Sequence, residues 1–152
     1  MKDKSYKKFI FIGIILILFI FLIVKVYSAA HQTGENVKLD NYEVRVDKVV
    51  KSQGTDYTKP KNGKEFAVVT VTLTNSGKKS VKYNPLDFVL RTEKGDDINA
   101  NLNIDGIDIL EAGTLKKGEK VTGNLVGEVK KGTRLQLVYK TNTEDEVVID
   151  LQ

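Results

Sequence analysis

Residues 65–92 (EFAVVTVTLTNSGKKSVKYNPLDFVLRT) alternate apolar and polar side chains, and this alternation constrains the fold more than any other feature. Ala67, Val69, Val71 and Leu73 occupy every second position. Because successive side chains of a strand point to opposite faces, this spacing predicts a strand with one buried face. Apolar residues on both faces at its start predict a central strand. The polar segment after it predicts a turn, so that residues 65–92 form a hairpin-like core.

Shorter segments with the same period occupy the rest of the body, separated by turn residues such as Asn62-Gly63. They are residues 37–39, 42–46, 88–90, 121–129, 135–139 and 147–151. The alternation slips near residues 47–50, where Val49 and Val50 are both apolar, which predicts a bulge or a strand end in this stretch. Many short alternating strands without a helical period predict an all-β antiparallel β-sandwich, with a small closed barrel as the competing architecture.

The N-terminus has a different character. Residues 9–24 contain no charge and follow lysines at positions 2, 4, 7 and 8. We predict a basic cytoplasmic tail at 1–8, a transmembrane or signal-anchor helix at 9–27, a linker at 28–36 and the folded domain at 37–152. The positive-inside rule places that domain outside the cell, in a single-pass cell-membrane protein.

A cleaved signal peptide is the alternative to a retained anchor. Ser28 and Ala30 are small residues at the −3 and −1 positions for cleavage before His31. The apolar run exceeds the usual length of a signal-peptide core, which favours the retained anchor. Cleavage near Ala30 would give a secreted protein, so both interpretations place the domain outside the cell.

Charge and cysteine content exclude several classes of protein. The formal net charge of +4 belongs to the first thirty residues, because residues 31–152 carry equal numbers of basic and acidic side chains. A neutral body argues against a nucleic-acid partner. The chain has no cysteine, which excludes disulfides and an acylated lipobox cysteine and is compatible with export from a Gram-positive cell.

The sequence contains no pattern typical of a catalytic site. It has a single histidine, His31, no cysteine and no G-x-S-x-G motif. We therefore predict a protein that is not an enzyme and has no catalytic or cofactor-binding residues.

Residues 95–111 (GDDINANLNIDGIDILE) carry side-chain oxygens at alternate positions, which resembles the spacing of calcium-binding loops. The candidate ligands are Asp97, Asn99, Asn101, Asp105 and Asp108. Leu102 stands where such a loop needs its turn glycine. The competing interpretation is a strand or loop whose inward residues are Ile98, Ala100, Leu102 and Ile104.

Four stretches of the body, VVTVTLTNSGKKSV, NPLDFVLRTEKG, LKKGEKVTGNLVGEV and LQLVY, resemble a bacterial family of exported immunoglobulin-like domains of unknown function. Members are often mislabelled as telomeric repeat-binding factors, and the family is similar to the mycobacterial immunoprotective extracellular antigen. The most specific matches are Thr74-Asn75 with Gly77, Asp87-Phe88 and Leu90 with Gly95, and Gly118-Glu119 with Gly123. The resemblance implies a surface-anchored immunoglobulin-like β-sandwich and supplies no catalytic residues.

These features predict a non-enzymatic interaction module on the outer face of the membrane, held there by its N-terminal helix. Its ligand would be a protein or another envelope component, bound through end loops at residues 54–64 and 96–114. A structural or calcium-stabilised envelope protein is the alternative, and a small exported enzyme is the third possibility.

Overall fold

The computed structural model describes residues 30–39, 41–100, 102–140 and 146–151. These residues form short and medium-length β-strands and a single 3₁₀ turn at Pro85–Asp87. The strands are β1 Ala30–Gln32, β2 Val37–Lys38, β3 Glu43–Ser52, β4 Lys64–Thr74, β5 Val81–Tyr83, β6 Phe88–Thr92, β7 Asp97–Asn99, β8 Gly113–Leu115, β9 Lys120–Lys130, β10 Leu135–Lys140 and β11 Glu146–Leu151.

Two sheets enclose the main hydrophobic core. Within the described residues the first sheet has the order β1-β11-β10-β6-β7 and the second has the order β2-β3-β4-β9, while β5 and β8 form a separate ribbon. Side chains such as Leu73, Phe88, Leu125 and Leu137 are almost fully buried between the sheets. The all-β sandwich predicted from the alternation is confirmed.

The predicted transmembrane helix at residues 9–27 lies outside the described residues. In the part of the chain that the structure does describe, no helix has the length and apolar character needed to cross a membrane.

Strand β4 is the central strand that the sequence predicted, because it pairs antiparallel with β3 on one side and with β9 on the other. The predicted hairpin-like core at residues 65–92 is wrong. Strand β5 pairs with β8, and β6 pairs with β7 and β10 in the opposite sheet. The alternation fixes which face of each strand is apolar, but a strand on either sheet can bury that face in the same core.

The irregularity expected near Val49 and Val50 is a β-bulge. The register between β3 and β4 shifts between Val46 and Lys48, so that Val46 pairs with Val71 and Lys48 pairs with Thr70. The predicted bulge is therefore confirmed.

The first sheet is joined to the second by the chain that follows β7. Val126 of β9 donates a backbone hydrogen bond to Ala100 at 2.8 Å and accepts one from Leu102 at 2.9 Å. Gly127 permits this close approach, because a Cβ there would lie 2.8 Å from Leu90 Cδ1 and 3.0 Å from the Asn99 carbonyl oxygen. The sandwich therefore has a barrel-like closure along this edge.

At the other edge, β1 lies within the segment that the sequence assigned to a linker. Strand β1 belongs to the first sheet beside β11, and the Thr33 hydroxyl donates to the Asp150 carbonyl oxygen at 3.0 Å. Gly34 then donates to Val46 of the second sheet at 2.9 Å. The linker prediction is wrong for residues 30–34, because these residues form hydrogen bonds with both sheets.

Candidate functional site

The two loops predicted as interaction surfaces meet beside β9. The first loop, predicted at 54–64, comprises residues 53–63 between β3 and β4. The second loop, predicted at 96–114, is shorter, with described residues 100 and 102–112, because β7 and β8 occupy parts of the predicted range. Both border a depression of about 390 Å³, which we call the loop cleft. Its lining residues are Thr58, Lys61, Phe66, Ile98, Asn99, Leu102, Asn103, Ile104 and Glu128.

The base of the loop cleft is apolar. Phe66 of β4 and Ile104 of the second loop are buried and pack with Val126 of β9 in a small cluster outside the main core. Leu102 remains 36% exposed at the rim. The competing interpretation of residues 95–111, with four inward apolar residues, is therefore wrong for Leu102. Ile104 is buried as expected, but against the outer face of the second sheet.

The first loop is fixed by hydrogen bonds and by a glycine. Gly54 has φ +83°, and a Cβ at this position would lie 2.0 Å from the Thr58 carbonyl oxygen and 3.1 Å from Phe66. Thr55 donates its backbone N–H to that same oxygen at 2.8 Å. Only a residue without a side chain fits this turn, which brings Thr58 to the loop cleft.

Glu128 of β9 attaches the end of the first loop to the sheet. Its carboxylate accepts a hydrogen bond from the Lys61 backbone N–H at 2.7 Å and pairs with the Lys64 ammonium at 3.0 Å. These contacts, the Lys61 N–H first, lower the pKa of the Glu128 carboxyl below its usual 4.5. The polar rim of the loop cleft is therefore ordered.

An apolar strip continues from the loop cleft across the outer face of the second sheet. Val50 pairs with Val68, which pairs with Val126, and all three point to the face that carries Phe66. Val50 is 38% exposed, and the Tyr57 ring in the first loop is 88% exposed. Exposed tyrosine and adjoining aliphatic side chains are typical of protein-binding surfaces.

The calcium candidates are only partly brought together. Asp97 and Asn99 lie in β7, while Asp105 and Asp108 lie in the second loop, and Asn101 is outside the described residues. The Asp97 carboxylate pairs with Arg91 at 2.7 Å and with Lys140 at 2.9 Å. Residues 30–39, 41–100, 102–140 and 146–151 hold no group of three or more His, Cys, Asp or Glu side chains arranged to bind a metal ion. Calcium binding stays a prediction.

An ion-pair network on the outer face of the first sheet was missed by the sequence analysis. Arg91 of β6 donates to Asp97 of β7 at 2.7 Å and to Glu146 of β11 at 2.9 Å. Arg91 of β6 pairs with Gln136 of β10, and Glu146 of β11 pairs with Lys140 of β10. The Arg91–Glu146 pair therefore spans β10. These side chains are far apart in sequence, so no local motif could reveal them.

The Arg91 ion pairs cover an apolar residue of β10. Val138 lies midway between Gln136 and Lys140, the β10 residues that pair with Arg91 and Glu146. It has no exposed surface, although it belongs to the outer face of the sheet. Hydrogen bonds from Arg91 are the main reason why the pKa of Asp97 falls from its usual 3.8 to about 2. They also lower the pKa of Glu146 below its usual 4.5. This network stabilises the sheet and touches neither loop of the loop cleft.

Comparison with known proteins identifies the family. Residues 31–147 match a family described as a domain of unknown function (DUF4352). The chain belongs to this family. The resemblance inferred from the four sequence stretches is therefore confirmed.

A curated relative supports this assignment. The uncharacterized lipoprotein YjhA of Bacillus subtilis (strain 168) is 32% identical over 143 residues, which cover 80% of this chain and 67% of that protein. The crystal structure of the yjhA protein is 28% identical, with a TM-score of 0.61 over 80% of this chain and 99% of that chain.

Two more distant structures share the fold. The ycdA protein of Bacillus subtilis subsp. subtilis str. 168 is 21% identical, with a TM-score of 0.65 over 80% of this chain. The chain spans only 38% of the length of ycdA. The secreted protein MPT63 of Mycobacterium tuberculosis is 17% identical, with a TM-score of 0.64 over 82% of this chain and 99% of that chain.

Proposed function

We propose that this chain is an exported, non-enzymatic immunoglobulin-like module that binds a protein partner through the loop cleft. The observation that carries the proposal is the meeting of the two loops around an apolar depression, with the exposed Tyr57 next in sequence to the lining residue Thr58. Interface centres are enriched in aromatic side chains and have a polar rim, and the loop cleft has Phe66 at its base with Lys61 and Glu128 among its polar lining residues.

Several facts support the location of the module. A relative in the family is named a lipoprotein, and a protein of the same fold is named a secreted protein. The present chain contains no cysteine for lipid attachment, but it begins with a basic tail and the apolar run at residues 9–24. We propose that this run is a transmembrane anchor that replaces the lipid and holds the domain outside the cell.

The loop cleft can be tested by replacing Tyr57 with a photo-crosslinking amino acid in intact cells. We expect capture of one defined envelope protein. Adding Leu102→Glu should reduce this capture at least tenfold, since a carboxylate in place of this apolar side chain would lose water when the partner binds.

Leu86→Glu is the matched control. Leu86 is 59% exposed on the 3₁₀ turn before β6 and does not line the loop cleft, so its replacement should leave capture unchanged. Equal capture in the Leu102→Glu and Leu86→Glu variants would refute the loop cleft as the binding site. Capture of a second copy of this chain would instead favour the alternative, a structural protein that spaces surface assemblies.

A further inference from the structure

Two turns at the far end of β4 are joined into one unit by a buried asparagine. Asn75 exchanges backbone hydrogen bonds with the β8–β9 turn, donating to Glu119 at 3.0 Å and accepting from Gly118 at 2.8 Å. Its side-chain amide donates to the Lys79 carbonyl oxygen at 2.8 Å and to the Leu115 carbonyl oxygen at 2.9 Å. The β4–β5 and β8–β9 turns are therefore joined into one rigid corner, which with the first residues of β5 and β9 comprises residues 76–82 and 116–120.

This corner concentrates positive charge. Its lysines are all exposed: Lys78, Lys79, Lys82, Lys116, Lys117 and Lys120. The carboxylates beside them accept hydrogen bonds from other groups. Glu119 accepts from the Lys116 backbone N–H at 2.7 Å, and Glu43 accepts from the Ser76 hydroxyl at 2.8 Å. Among the described residues, no carboxylate forms an ion pair with any of these lysines.

The concentration of positive charge in this corner is greater than the composition of the body suggests. Residues 31–152 carry equal numbers of basic and acidic side chains, so an excess of five positive charges in residues 76–82 and 116–120 leaves the rest with an excess of five negative charges. Elsewhere, Lys51, Lys64 and Lys140 are neutralised by neighbouring carboxylates. Unpaired like charges in a rigid corner repel one another and attract an external anion.

We propose that the basic corner binds a linear polyanion, a polymer that carries repeated phosphate or carboxylate groups. Ammonium groups are compact charges with three donors each, and a row of them suits a flexible chain of anionic groups. A polymer can contact both turns at once, and each neutralised group releases counterions, so binding should weaken steeply as salt rises.

A lipid surface fits the corner less well. Proteins that lie on membranes add apolar side chains to their basic groups. Within residues 76–82 and 116–120 the sole apolar residue is Val81, which is half-buried against β8. The corner is also separate from the loop cleft, because Phe66 and Thr74 stand about 25 Å apart along β4. The proposal therefore does not depend on the protein partner.

The test uses the full-length chain in neutral phosphatidylcholine nanodiscs, mixed with inorganic polyphosphate or with poly-L-glutamate. We expect binding of at least one polymer at low salt, weakened at least tenfold between 50 and 300 mM NaCl. The polymer that binds identifies the anionic group. Replacing Lys78, Lys79, Lys116 and Lys117 by Gln should reduce this affinity at least tenfold without lowering the melting temperature, because the change removes like charges that repel one another.

The matched control replaces Lys59, Lys94, Lys130 and Lys131 by Gln. These lysines are exposed and lie elsewhere on the body, so the change in net charge is the same. We expect less than a twofold loss of affinity. The proposal is overturned if both quadruple variants lose affinity equally, if neither polymer binds, or if only vesicles containing 30% phosphatidylglycerol bind.

Discussion

Asn75 shows how a single side chain can hold a fold together. It has no exposed surface. Its amide oxygen accepts a hydrogen bond from the Gly77 backbone N–H at 2.9 Å, and its amide nitrogen donates to two carbonyl oxygens. The motif Thr74-Asn75 with Gly77 was a specific part of the family resemblance, and the structure gives it a structural role. Replacing Asn75 by Ala would leave a donor and two acceptors without partners.

We therefore expect Asn75→Ala to lower the free energy of unfolding by about 2–4 kcal/mol, because buried polar groups that lose their partners are costly. Urea unfolding of residues 31–152 measures the change. Asn84→Ala is the matched control, since Asn84 makes one capping hydrogen bond to Leu86 at 3.0 Å in a more exposed place. Its cost should be about 1 kcal/mol or less. Similar losses in the two variants would contradict the structural role of Asn75.

Strands β6, β7, β10 and β11 are linked on their outer face by the Arg91 network. Both carboxylates of this network have pKa values below their usual range, so their ionised forms stabilise the folded state. For a lowered pKa, the stabilisation is complete above the unfolded value of about 4 and is lost as the pH falls towards 2.

Arg91→Gln should accordingly lower the melting temperature by about 2–4 °C at pH 6, the size expected for a partly exposed ion-pair network. The difference between the variant and the original chain should shrink as the pH falls from 5 to 2, because Asp97 and Glu146 then become protonated. Thermal unfolding followed at several pH values measures it. Arg134→Gln is the control, since the Arg134 side chain is 89% exposed and its pair with Glu93 should contribute little. A pH-independent difference for Arg91→Gln would contradict the network's role.

The chain combines an apolar N-terminal run with a folded body. If residues 9–27 are a retained anchor, the protein should stay in the membrane fraction after alkaline extraction, with its N-terminal sequence intact. Protease added to intact cells should digest the body, while a cytoplasmic control protein survives. Release of a body that begins at His31 would support the cleaved signal peptide instead. Protection of the body from protease would contradict export.

Charge distribution shows what composition conceals. The neutral body argues against a nucleic-acid partner, but neutrality is a sum over residues 31–152 and does not describe how the charges are distributed. The structure collects lysines from two turns that are separated in sequence, because Asn75 bonds to both. The loops at 54–64 and 96–114 were both predicted as contact surfaces, but their common cleft follows from the backbone hydrogen bonds of Ala100 and Leu102 to Val126 of β9.

Local order was legible in the sequence. The period of two predicted the longer strands, the burial of Val69, Val71 and Leu73, the central position of β4 and the bulge in β3, because these depend on neighbouring residues and on which face is apolar. It did not predict the short strands β1, β7 and β8. The sequence did not predict which strands pair with one another. The same apolar face of β6 could be buried from either sheet, and packing placed it opposite β4. Long-range contacts also produced the loop cleft, the Arg91 network and the basic corner, since each joins side chains that no local pattern connects.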